Sequence, residues 1–119
     1  MSLTDRRILV VEDEYFLAQN LLTELEEAGA VVIGPEASVA DALQRIDVEP
    51  RIDAAVLDVN LAGEEAFPIA DLLMARAIPF VFASGYDANL ITIRYPGVVN
   101  CTKPFLFCHI RRSLEAVLH

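Results

Sequence analysis

Five polar positions in this chain have the residue types for phosphoryl chemistry: Glu12-Asp13, Asp58, Ser84 and Lys103. Carboxylates gathered within a few Å repel one another, and without a cation their protonation becomes coupled. A hard divalent ion with oxygen ligands removes the conflict. Mg²⁺ suits such a set best, since it takes one or two carboxylates, keeps several waters and bridges to a phosphoryl oxygen. Lys103 would add a second positive charge and Ser84 a hydroxyl donor, both suited to holding a phosphoryl group on an aspartate. Lys103 is also the sole lysine, the other eight basic residues being arginine. The bland alternatives are that Asp58 only caps a turn and that Lys103 is a surface charge.

The elements around these residues decide whether they can meet. Asp53-Ala54-Ala55-Val56-Leu57-Asp58 runs apolar without alternation into a carboxylate, the pattern of a strand buried on both faces. Ile8-Leu9-Val10-Val11 is a similar run ending in Glu12-Asp13-Glu14. A helix with Leu17, Leu21, Leu25 and Ala28 on one stripe follows and stops at Gly29. Ala30 to Ile33 reads as the second strand, closed by Gly34-Pro35. Ser38 is placed as the N-cap of a helix carrying Val39, Leu43 and Ile46 inward, ending at Glu49-Pro50.

Beyond the third strand, Leu61-Ala62-Gly63 reads as a loop. Glu64 and Glu65 are expected in the first turn of a helix reaching about Ala77, with Ile69, Leu72, Leu73 and Met74 available to the core. Pro79 to Ala83 is the fourth strand and Val98 to Cys101 the fifth. A weakly patterned helix from Ala88 to about Arg94 lies between them, ended by Tyr95-Pro96-Gly97. A last helix buries Phe107, Ile110, Leu114 and Val117. Strands and helices in alternation predict an α/β fold, a five-stranded parallel sheet with right-handed crossovers and helices on both faces. The carboxyl ends of all strands then share one edge, which gathers the five polar positions.

Composition narrows the classes. At 119 residues the chain is expected to be one domain, its core spanning about residues 7–118. With 55% hydrophobic and 23% charged residues it reads as globular. A net charge of -9 with no Lys/Arg cluster argues against direct nucleic-acid binding. Neither a membrane-length apolar run nor a signal peptide is present, so the expectation is a cytosolic protein without a membrane role. Cys101 and Cys108 lack metal-site spacing and read as free thiols in or near the core.

Together, Glu12-Asp13, Asp58 with Asn60 two residues on, Phe82-Ala83-Ser84-Gly85-Tyr86 and Lys103-Pro104-Phe105 resemble the receiver domain of two-component response regulators, over essentially the whole chain. The resemblance implies a flavodoxin-like sheet with strand order 2-1-3-4-5. It implies Asp58 as acceptor of a phosphoryl group from a histidine kinase or phosphotransfer protein, in a signalling domain that is not an enzyme proper but catalyses its own phosphorylation and dephosphorylation. Asp13, Asp58 and the main-chain carbonyl of Asn60 would ligate Mg²⁺, with Glu12 acting through a water. Ser84 and Lys103 would contact the phosphoryl oxygens, and the Lys103-Pro104 peptide would be cis. Phosphorylation would reshape the face made by the fourth helix, fifth strand and fifth helix.

One position departs from the family. Receivers usually carry Tyr or Phe three residues before the lysine as a reporter of the switch, and here Asn100 stands there. Tyr86 is the nearest aromatic able to take over, with ordinary loop packing as its alternative role; the Phe-Ala-Ser-Gly-Tyr run resembles a subgroup with a similar signature. Ser84, Tyr86 and Asn100 are thus the switch candidates.

Only His119 follows the last expected helix. The expectation is a single-domain regulator acting on a downstream protein, the alternative a receiver separated from an output domain; a phosphorylation-dependent homodimer fits either. Two rival functions are a receiver-fold binding module that is never phosphorylated and a haloacid-dehalogenase-type phosphatase. The latter needs a second aspartate two residues after its nucleophile, where this chain has Asn60.

Overall fold

A computed structural model describes residues 2–84, 94–102 and 107–118 of the chain. Five parallel strands form the central sheet: β1 (Arg7–Val11), β2 (Val31–Glu36), β3 (Ala54–Leu57), β6 (Phe80–Ser84) and β7 (Asn100–Thr102). Their order is β2-β1-β3-β6-β7, the doubly wound 2-1-3-4-5 arrangement expected for the sheet strands. A small antiparallel pair, β4 (Asn60–Leu61) and β5 (Glu64–Glu65), stands apart from the sheet.

Strand residues alternate strictly between two cores. Leu9, Val11, Ala55, Leu57, Phe80 and Phe82 face α2 (Val39–Val48) and α3 (Phe67–Ala75). Ile8, Val10, Ala54, Val56, Val81 and Ala83 face α1 (Tyr15–Glu27) and the C-terminal helix (Phe107–Val117). Burial on both sides explains why β1 and β3 read as unbroken apolar runs. Each large side chain buried this way contributes roughly 1.5–3 kcal/mol relative to exposure.

Local signals behave as the sequence suggests at several ends. Ser38 caps α2 by accepting from the Asp41 amide at 3.1 Å. Gly29 follows α1 at φ +90°, where a side chain would press on Thr4 Oγ1 at 3.0 Å.

Other expectations are corrected. β2 does not close at Gly34-Pro35 but continues to Glu36, because Val11 pairs with Glu36 across an irregularity in β1 and the Glu12 amide donates to the Glu36 carbonyl at 3.0 Å. Glu64 and Glu65 form β5 and do not open a helix; α3 starts at Phe67 with Pro68 in its first turn and ends at Ala75, short of Ala77. Met74 is exposed, Ala70 taking the inward position beside Ile69 and Leu73. On α1 it is Ala18, with Leu21 and Leu25, that is buried, Leu17 being half-buried. Phe107 and Val117 are only partly buried beside Ile110 and Leu114. Cys101 is buried as expected, but Cys108 is exposed on the C-terminal helix. The helix expected from Ala88 to about Arg94 lies outside the described residues save for Arg94 itself. Among the described residues no helix is long and apolar enough to cross a membrane.

Candidate functional site

β1 and β3 are hydrogen-bonded neighbours in parallel register, with Val11 opposite Leu57. The residues leaving their carboxyl ends therefore emerge side by side. Carboxylate oxygens of Glu12, Asp13 and Asp58 lie within 4.8 Å of one another. Glu12 is 3% exposed and Asp58 6%, whereas Asp13 faces solvent. Two buried acids and one exposed acid at that separation form an open-sided set of hard oxygen donors, which fits a divalent cation of the Mg²⁺ kind.

Main-chain donors hold these acids in place. Glu12 Oε2 accepts from the Glu14 amide at 3.1 Å, and Asp58 Oδ1 accepts from the Asn60 amide at 3.3 Å. The Asp58 amide itself donates to the Val11 carbonyl at 2.9 Å, tying the end of β3 to the end of β1. The small hairpin supplies the rest. Its turn, Ala62-Gly63, has φ values of 53° and 91°, the mirror-image turn that suits two tightly twisted strands. The Ala62 amide donates to Asp13 Oδ2 at 2.9 Å, and the Gly63 amide to Asn60 Oδ1 at 2.9 Å. Glycine is expected at such a turn, but alanine at positive φ is strained by roughly 1–2 kcal/mol.

Asn60, two residues past Asp58, has its side chain committed to the turn. Ser84 is the last residue of β6 and pairs in register with Thr102, the last residue of β7, so both strands end on the edge that carries the acids. Lys103, Pro104 and its peptide bond, Phe105 and Tyr86 fall outside the described residues. Asn100 opens β7 opposite Phe82.

Two further contributors carry only weak signals in the sequence. One is the hairpin, whose signal is the short Asn-Leu-Ala-Gly-Glu-Glu run with a glycine at the second turn position. The other is Tyr95, which reads there only as a helix terminator. Its side chain is 2% exposed and packs on Phe67, Phe80 and Phe82. Burial, aided by a hydrogen bond to Asp71, pushes its phenol above the usual tyrosine range.

No family model matches the chain. Its fold is similar to the solution structure of SdrG from Sphingomonas melonis Fr1, with 40% identity, a TM-score of 0.83 and all of both chains covered. It is also similar to a crystal structure of a response regulator receiver protein from Sinorhizobium medicae WSM419, with 24% identity, a TM-score of 0.87, and 98% of this chain and 97% of that one covered. Among curated proteins, the sensory transduction protein LytT of Bacillus cereus is 36% identical over 84 residues, which are 68% of this chain and 34% of that protein. The match to LytT thus spans about a third of that relative's length. The doubly wound order, the acids at the ends of β1 and β3 and these likenesses agree, and the chain belongs to the receiver domains of response regulators.

Proposed function

We propose that this chain is a single receiver domain whose Asp58 accepts a phosphoryl group from a phosphohistidine on a sensor kinase or phosphotransfer protein. The observation that carries this reading is the convergence of Glu12, Asp13 and Asp58 within 4.8 Å at the shared end of two adjacent strands. Asp13, Asp58 and the Asn60 main-chain carbonyl would hold Mg²⁺ directly, and Glu12 would act through a water. Mg²⁺, when bound, offsets carboxylate repulsion and neutralises charge on the transferring phosphoryl group.

The chain's own residues do the positioning. One Asp58 oxygen attacks phosphorus in line; the O–P bond forms as the P–N bond to the donor imidazole breaks, and the imidazole leaves with the bonding pair. Ser84 and Lys103 hold the phosphoryl oxygens. Hydrolysis of the resulting acyl phosphate releases inorganic phosphate and restores Asp58.

Phosphorylation adds charge and acceptor oxygens at the sheet edge, to which Ser84 and the segment after β6 respond, Tyr86 included. The face formed by that segment, β7 and the C-terminal helix then binds its downstream protein, or a second copy of the chain, differently. The relative SdrG has been solved in a BeF3-activated conformation at 40% identity to this chain, which supports a beryllofluoride-responsive site here. An acidic protein of this kind acts by protein contact in the cytoplasm and not on nucleic acid.

Incubation with Mg²⁺ and acetyl phosphate, followed by intact mass, tests the reading against Asp58→Asn. One added phosphoryl group in the wild type and none in the variant is expected. No modification and no beryllofluoride-induced amide shifts, despite Mg²⁺ binding, would overturn it in favour of an unphosphorylated binding module.

A further inference from the structure

Register sets Asn100 beside Phe82, on the face of the sheet shared with Phe80 and Leu57. Both polar atoms of its side-chain amide are buried there, and neither Nδ2 nor Oδ1 has a hydrogen-bond partner among the described residues. An amide in that condition has given up water without replacement. It disfavours the arrangement that leaves it so, relative to any arrangement that pairs it.

Five residues earlier in the chain, Tyr95 has the opposite character. Its hydroxyl lies 2.7 Å from Asp71 Oδ1 and 3.2 Å from the Phe67 carbonyl, and it accepts from Arg94 Nε at 3.1 Å. The Arg94 guanidinium covers the Phe67 ring at 4.5 Å and reaches Asp71 Oδ2 at 3.4 Å, closing the cluster from outside. The Tyr95 ring meets Phe82 at 5.5 Å and Phe67 at 5.7 Å between centroids.

These contacts join the two elements that flank the site. Phe67 and Asp71 belong to α3, whose start hangs on the residue after Asp58 through the Ala66 amide and the Val59 carbonyl, 2.6 Å apart. Phe82 belongs to β6, two residues before Ser84. Tyr95 is therefore pegged between the helix leaving Asp58 and the strand delivering Ser84. It occupies, from the preceding turn, the face from which Asn100 projects no aromatic ring.

We propose that Tyr95 is the latch of this receiver and Asn100 its release. The Tyr95 hydroxyl holds α3 against β6 in the unphosphorylated arrangement, and the unpaired Asn100 amide lowers the cost of leaving it for an arrangement in which that amide is hydrogen-bonded. The inference rests on Asp58 being the phosphoacceptor.

The test is a beryllofluoride titration in saturating Mg²⁺, followed by amide NMR, on the wild type, Tyr95→Phe, Asp71→Ala, their double variant and Asn100→Leu. Thermal unfolding without fluoride serves as the companion readout. Tyr95→Phe keeps the ring, and Asp71 is on the exposed side of α3, so both variants should fold. Each should lower the beryllofluoride midpoint about three- to tenfold, and the double variant no further, since both remove one shared bond. Asn100→Leu should raise the midpoint by a similar factor while raising the thermal midpoint. Altered thermal midpoints with beryllofluoride midpoints equal to wild type would overturn the latch and leave these residues structural. So would Tyr95→Phe and Asn100→Leu moving the beryllofluoride midpoint in the same direction. A wild type that ignores beryllofluoride would instead overturn the phosphoacceptor reading, and the latch with it.

Discussion

Two groups of acids at opposite rims of the sheet are arranged differently. At the amino-end rim Glu49 and Asp53 each meet an arginine: Glu49 takes Arg7 at 2.8 Å and Arg45 at 3.2 Å, and Asp53 takes Arg51 at 2.9 Å while accepting the Arg7 amide at 2.8 Å. At the carboxyl-end rim Glu12, Asp13 and Asp58 are brought within 4.8 Å of one another. The first arrangement closes a structure, since each charge is answered inside the fold. The second gathers three carboxylates at one spot, where a divalent cation would offset their mutual repulsion. That contrast distinguishes Asp53 from Asp58 where burial does not, because both are largely covered.

The largest effect that tests this contrast is that of Mg²⁺. At about a hundredfold excess over its dissociation constant, a cation bound only by the folded chain adds about 2.7 kcal/mol of stability. Urea unfolding with Mg²⁺ and with EDTA should show this increment in the wild type and in Asp53→Ala, and its loss in Asp13→Asn and Asp58→Asn. An increment that survives Asp58→Asn would break the comparison.

Next in size is the amino-end rim. Asp53→Ala removes a charged partner from Arg51 and an acceptor from the Arg7 amide, and should cost about 1–2 kcal/mol by urea unfolding. Asp58→Asn, measured without metal, should go the other way. Relief of carboxylate repulsion should raise the thermal midpoint by roughly 4 °C, on the order of 1 kcal/mol. If both variants destabilise alike, the two rims do not differ in kind.

A pH profile sharpens the same point. The Arg51 hydrogen bond, with the Arg7 amide and against partial burial, holds the Asp53 carboxyl below the usual carboxylate range. A lowered folded value means that this stabilisation is present above the unfolded value of about 4 and is lost as pH falls through the folded one. Asp53→Asn should therefore flatten the loss of stability below about pH 4 in a series of urea unfolding curves. The smallest effect belongs to the exposed Arg111–Glu115 pair at 3.4 Å on the C-terminal helix, where Arg111→Ala should change stability by no more than about 0.5 kcal/mol.

Much of this was legible in the chain before folding was considered. Val10-Val11 and Val56-Leu57 announce strands buried on both faces, and acids placed directly after such strands can only emerge at one edge of a parallel sheet. Ser38 and Gly29 mark helix ends through bonds that reach only a few residues. Where the reading slipped, a distant partner decided. Glu36 joins β2 because β1 offers it Val11 and Glu12, and Glu64 and Glu65 become a strand because they pair with Asn60 and Leu61. Met74 is apolar yet exposed, since the short α3 turns Ala70 and Leu73 inward instead.

The sequence by itself determined the order of elements, their two-sided burial and the edge on which Glu12, Asp13 and Asp58 stand, because apolar periodicity and capping are local properties of a chain. Only the tertiary structure decided that the Ala62 amide meets Asp13 across 49 positions and that the Tyr95 hydroxyl meets Asp71 across 24. Hydrogen bonds of that reach depend on where a turn lands once the sheet is assembled, and nothing in the residues beside either partner encodes the other.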